Sequence, residues 1–127
     1  MVSSYLRREE SKDTSKAFRR LKKKVSIENL WIYILRLLQD RVMYGYELKQ
    51  AIKERFGFEP ATVTSYTILY KLERDNLVTS EVKNNPKGRP DRKYYKITEE
   101  GEQWMQEAKG LFQEIMTKVF DVTTLED

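Results

Sequence analysis

The sequence predicts a mainly α (α+β) fold, and three observations carry that expectation. Apolar residues recur at helical spacing in three stretches before residue 77. Two short stretches with alternating faces then flank a loop dense in turn formers. The stretch after Thr98 carries a broader apolar stripe than a single terminal helix needs to dock on a small domain.

Residues 1–24 are polar and basic, with Arg19, Arg20, Lys22, Lys23 and Lys24 nearly adjacent. Ala17, Phe18 and Leu21 supply a short apolar stripe, so this arm is expected to be partly disordered or helical. Ser26 suits the N-cap of a first helix, whose inward face is Leu30, Ile34, Leu37 and Leu38, widened by Trp31 and Leu35. That helix is expected to end near Gln39. Met43, Tyr44, Gly45 and Tyr46 break the pattern, and a second helix is expected from Glu47 to Arg55 with Leu48, Ala51 and Ile52 inward. Gly57 ends it, and Phe58-Glu59-Pro60 forms the turn.

The third helix is expected from Thr62 to Asn76. It buries Ile68, Leu69 and Leu72, with Tyr66 leaning on the same side. Val63, Thr64, Thr67, Tyr70, Lys71 and Arg74 lie opposite, a polar face that a helix serving only the core does not need. In the two strands, Val78, Ser80 and Val82 share one face, as do Lys93, Tyr95 and Ile97. Between them Asn84 to Asp91 form a long basic tip. Thr98 caps the last helix, and Glu99, Glu100 and Glu102 occupy its first turn, where the helix dipole favours negative charge. Its apolar face is Trp104, Met105, Ala108, Leu111, Phe112 and Ile115, continued by Met116, Val119 and Phe120.

Composition removes whole classes of chemistry. The chain of 127 residues is enough for one domain, and its 39% hydrophobic residues suffice for a core under a heavily charged surface. It has no cysteine and no histidine, so disulfides, thiolate nucleophiles, the commonest general base and the commonest metal ligands are all missing. Its longest apolar run, Leu30 to Leu35, falls far short of the roughly 20 residues that cross a bilayer. No secretory leader is evident, and the expected location is the cytoplasm. Lone acids such as Asp40 and Glu47 have no partner at catalytic spacing, and no phosphate-binding glycine loop is present. An enzyme is not expected, nor is a cofactor or a metal.

Charge is unevenly placed. Residues 1–25 hold nine Lys or Arg against three Asp or Glu, on a chain whose net charge is +4. A cationic arm on a near-neutral body fits a polyanionic partner, and charge alone does not separate that reading from a solvated leader.

Three helices followed by a basic-tipped hairpin is the order of a winged helix-turn-helix with a two-stranded wing, whose third helix enters the major groove of DNA. Groove entry needs short donors and acceptors near the helix start and cations further along. Thr62, Thr64, Ser65 and Thr67 supply the first, and Lys71 and Arg74 the second, while Tyr66 and Tyr70 can donate to phosphates. The competing reading makes Tyr66 mainly core and pairs Arg74 with a nearby acid. On the wing, Lys87, Arg89, Arg92 and Lys93 are opposed only by Asp91, a composition that favours contact with phosphates or a minor groove over mere solubility.

Three runs extend this reading: Met43 to Leu48, Tyr66 to Glu73, and Gly88 to Gly101. In that order and spacing they resemble the PadR family of transcriptional regulators over residues 27–120. The resemblance implies a winged-helix homodimer that represses promoters, with the Tyr66 helix in the major groove and the Gly88-Arg89-Pro90 wing on the backbone. It also implies that the helix after Thr98 dimerises, through Trp104, Ala108, Leu111, Phe112, Ile115 and Val119, as in short members with a single C-terminal helix. Some short members hold a small flat aromatic effector between subunits. Trp104, Phe112 and Phe120 suit such stacking, although plain hydrophobic packing accounts for them better. Three departures stand out: Asp91 within the wing run, Asn76 where the family usually has glycine, and an arm longer than the family needs.

The expected organisation is therefore a basic arm at 1–25, a DNA-binding winged helix-turn-helix at 26–98, and a dimerisation helix with a short tail at 99–127. The expected partners are double-stranded DNA and a second copy of the chain. Two alternatives remain open: a nonspecific or architectural nucleic-acid binder dominated by the arm, and a winged helix used only for protein contacts.

Overall fold

The structure is a computed structural model that describes residues 4–8, 11, 14–85 and 87–123. Parts of the arm, Pro86 of the wing and the last four residues of the tail lie outside the described residues. The elements run α1 (Lys16–Val25), a 3-10 turn (Ile27–Asn29), α2 (Leu30–Asp40), β1 (Met43–Tyr44) and α3 (Gly45–Phe56), then α4 (Thr62–Arg74), β2 (Val78–Lys83), β3 (Arg92–Ile97) and α5 (Glu99–Phe120).

The core lies where α2, α3 and α4 meet the sheet. Leu30, Ile34, Leu35, Leu37 and Leu38 of α2 pack with Leu48 and Ile52 of α3 and with Leu69 and Leu72 of α4. Met43, Leu77, Val78 and Tyr95 close the sheet side. At about 25 cal/mol per Å2 of apolar surface removed from water, burying each of these side chains contributes about 1.5 to 3 kcal/mol. The inward positions of α2 and α3, and Leu69 and Leu72 of α4, match those read from helical spacing, because that spacing is what aligns side chains on one face.

Local chemistry sets the element ends. Thr98 Oγ1 accepts from the Gly101 amide at 3.0 Å and donates to the Asn76 carbonyl at 2.6 Å, which joins the start of α5 to the end of α4. The end of α4 is a Schellman closure. Asn76 N donates to Glu73 O at 3.1 Å and Leu77 N to Leu72 O at 2.9 Å, with Asn76 at φ 64°. Asparagine thus takes the left-handed role that glycine would serve.

Three expectations change. Ser26 does not cap α2: it follows α1, and its buried hydroxyl donates to Lys22 O at 2.6 Å. The helix it was expected to begin starts instead at Leu30, after the 3-10 turn. The second helix begins two residues early, at Gly45, and the residues before it form β1. Met43 pairs with Tyr95 and Tyr44 with Tyr94, so the wing belongs to a three-stranded antiparallel sheet of order β1-β3-β2. β2 and β3 run from Val78 opposite Ile97 to Lys83 opposite Arg92, as alternation predicted. Among the described residues, no helix is long and apolar enough to cross a membrane.

Candidate nucleic-acid interface

α4 presents its outer side from the first turn to the last. Thr62 and Thr67 are exposed and Thr64 is half-buried. Lys49 Nζ donates to Thr62 Oγ1 at 2.8 Å, which brings a cation from α3 to the start of α4. Thr67 donates to Val63 O at 2.8 Å and keeps its lone pairs outward. Tyr66 is 47% exposed and Tyr70 67%, so Tyr66 is not the core residue that its spacing suggested. It is drawn instead over Gly45, where an added Cβ would stand 2.5 Å from the ring. Lys71 is half-buried, and Arg74 is exposed with its Nε 3.1 Å from Asp75, the acid pairing that sequence offered as its competing role.

Ser65 is a correction. It is 4% exposed and donates to Ala61 O at 3.1 Å, so it faces the core and cannot reach a groove. A serine hydroxyl in a helix readily bonds the carbonyl four residues back, and this lets serine sit on a buried face without an unsatisfied group.

The wing is cationic and held at its base. Lys87, Arg89, Arg92 and Lys93 are exposed. Lys87 and Gly88 take φ values of 69° and 73°, the left-handed pair a tight reversal uses. Asp91, which weakens the wing's charge, also accepts from Asn85 N at 3.1 Å and so clips the loop shut. Arg92 lies 4.4 Å above the Tyr44 ring, and Lys83 lies 4.8 Å above the Tyr94 ring. Lys93 points back to α4: its Nζ is 3.2 Å from Glu73, which also accepts from Ser80. Hydrogen bonding from Ser80, then from Lys93, holds the Glu73 carboxyl below its ordinary pKa, and the same carboxylate raises Lys93. One carboxylate of α4 therefore fastens both strands of the wing.

These residues meet in a shallow depression between α4 and the wing, lined by Tyr44, Gly45, Tyr46 and Tyr66 on one side and Asp91, Arg92 and Lys93 on the other. Tyr44 and Tyr46 were read only as a break before a helix. β1 carries them beside the wing, and Tyr46 is 59% exposed. The clue was the concentration of tyrosine in Met43 to Tyr46, a hydroxyl-rich run that helical spacing did not explain.

α5 divides into two parts. Trp104 rests against Trp31 with ring centroids 6.0 Å apart, and Trp104 and Met105 pack on the core. Ala108 lines a groove with Asn29, Ile32, Trp104, Glu107, Leu111 and Phe112. Beyond it Leu111, Phe112, Ile115 and Val119 are exposed, Leu111 at 58% and Val119 at 67%. Asp40 and Glu47 sit in ion pairs, Asp40 with Arg36 and Arg55 and Glu47 with Arg41. The two arginine bonds hold the Asp40 carboxyl below its ordinary pKa.

Comparison with known proteins agrees with this architecture. The chain is 33% identical over 76 residues to an uncharacterised protein of Lysinibacillus sphaericus, which spans 58% of this chain and 69% of that one. A PadR-like transcription factor of Bacteroides fragilis superposes with a TM-score of 0.68 at 27% identity, covering 86% of this chain and 100% of its own. Bacillus subtilis PadR, solved in complex with operator DNA, superposes with a TM-score of 0.57 at 25% identity, covering 61% of this chain and 45% of its own. The model of the transcriptional regulator PadR-like family matches residues 34–107, from mid-α2 into α5. This winged-helix chain belongs to the PadR-like family of transcriptional regulators.

Proposed function

We propose that this chain works in the cytoplasm as a homodimer that binds a two-fold symmetric DNA operator and represses the promoter it covers. The observation that carries this reading is the outer side of α4, open along its length and bordered by the cationic wing. Thr62, Thr64 and Thr67 meet base edges. Lys71, Arg74 and the tyrosines meet phosphates, which fix register without reading sequence. Lys87, Arg89 and Arg92 lie on the backbone beside the wing, and Lys93 acts through Glu73 to hold the wing in place. That a relative of similar fold is solved with operator DNA supports DNA as the partner.

In this reading residues 26–98 form the DNA-binding unit and residues 99–127 the dimerising one. The exposed stripe of Leu111, Phe112, Ile115 and Val119 is the surface a second copy covers. A flat aromatic effector, were one bound, would lie where the groove at Trp104 and Ala108 meets that copy. No enzymatic role is proposed.

Selection of bound duplexes from a random DNA pool tests the whole reading. A consensus with two-fold symmetry is the expected result, because a dimer's symmetry is mirrored in its site. Absence of salt-sensitive binding to any duplex would sink it.

A further inference from the structure

The arm is the part of the chain that the family motifs do not account for, and the fold holds its described residues in a defined place. Arg7 donates to the carbonyls of Glu54 and Arg55 at 2.6 and 2.9 Å, occupying two acceptors that α3 leaves open at its C-terminus. A Cβ on Gly57 would stand 2.0 Å from Arg7 Cγ, so glycine is what lets the arm close over this corner. Further along, Tyr33 donates to Val25 O at 2.6 Å, and its ring meets those of Phe56 and Phe58 edge-on at 5.0 and 4.9 Å. α1 is thereby tied beside the α3–α4 turn, which leads into α4. The wing, through Glu73, is tied to the opposite end of α4.

α1 half-buries Phe18, which packs against Tyr5, and Val25, and leaves Lys16, Arg20, Lys23 and Lys24 exposed. Lys16, Arg20 and Lys24 recur every four residues and form one stripe about 12 Å long. α1 contains no acid. Among the described residues no ion pair holds Lys16 or Arg20, and Lys23 and Lys24 share Glu28 at 3.8 and 3.2 Å. Exposed pairs of that kind contribute little and exchange readily for a stronger anion. Leu21 is the only large apolar side chain on this outer face, too little to sink a helix into a bilayer surface. A line of fixed cations without an apolar companion suits a line of phosphates.

We propose that α1 is a second phosphate-binding surface, lying on the sugar-phosphate backbone of the duplex beyond the segment that faces α4. This rests on the DNA-binding reading above and adds a role for the arm: affinity and register without base preference. A duplex with α4 in its groove then meets cations at both ends of that helix, from α1 and from the wing.

The test replaces Lys16, Arg20, Lys23 and Lys24 by Gln in the full chain, with a Lys16→Gln, Arg20→Gln double variant beside it. Glutamine keeps helix propensity, and circular dichroism checks the fold. Binding is measured across salt concentrations to a duplex selected by the parent protein and to a random-sequence duplex of equal length. In the fourfold variant the slope of log affinity against log salt is expected to become shallower by about 3 to 4, and in the double variant by about half as much. Affinity for both duplexes falls by the same factor. An unchanged slope, or a loss confined to the selected duplex, overturns the α1 proposal and leaves the regulator reading standing. A parent protein that binds neither duplex overturns both.

Discussion

Gly101 lies in the first turn of α5, where an added Cβ would stand 2.3 Å from the Leu77 carbonyl and 2.6 Å from Ile97 Cγ1. That carbonyl accepts from Thr98 N at 3.0 Å and is not free to swing aside. Gly101→Ala is therefore expected to destabilise the fold by about 2 kcal/mol, read as a lower urea midpoint; an unchanged midpoint would mean that α5 can shift without cost. Glu73 is the other residue with a measurable signature. A carboxyl whose folded pKa is depressed stabilises the fold above its ordinary pKa of 4.5 and loses that contribution as pH falls through the folded value. Glu73→Gln should be less stable than the parent at neutral pH and converge with it as pH falls below the ordinary carboxyl range and through the depressed folded value. Parallel stability curves would show that Glu73 does not hold the wing through its charge. Ser65 marks the limit of sequence reading at this scale. Its place in a threonine-rich run suggested an outward hydroxyl, and only the register of α4 against the core turned it inward.

At the scale of elements, the roles proposed for the wing and for α5 have separable tests. If Arg89 and Arg92 contact phosphates, Arg89→Ala combined with Arg92→Ala should make the salt dependence of affinity shallower by about 2, roughly one unit per lost contact. An unchanged slope rejects the wing assignment. The outer half of α5 leaves Leu111 58% and Ile115 37% exposed, costly for a surface that stays in water. Leu111→Glu with Ile115→Glu is expected to turn a dimer into a monomer in solution-mass measurements. A parent chain that is already monomeric would refute the dimer. Strand boundaries and the course of α5 were legible because alternation and helical spacing are local. β1 was not, because two residues are too short to show a period and their partners, Tyr94 and Tyr95, lie about fifty positions away.

Across the whole molecule, the same chain segments serve stability and presentation together. Tyr33 packs among Phe56 and Phe58 and also anchors the arm, while Tyr66 leans on Gly45 and faces outward. By itself the sequence determined the order of the helices, both wing strands, the inward faces of α2 and α3 and the apolar stripe of α5. Each of these follows from spacing or backbone preference within a few neighbouring residues. Tertiary structure alone decided that β1 joins the wing, that Ser26 and Ser65 turn inward, that Glu73 fastens both wing strands and that Arg7 seats the arm on α3. Those outcomes depend on which surfaces meet after residues far apart in the chain collapse onto one core, and a local period carries no record of that meeting.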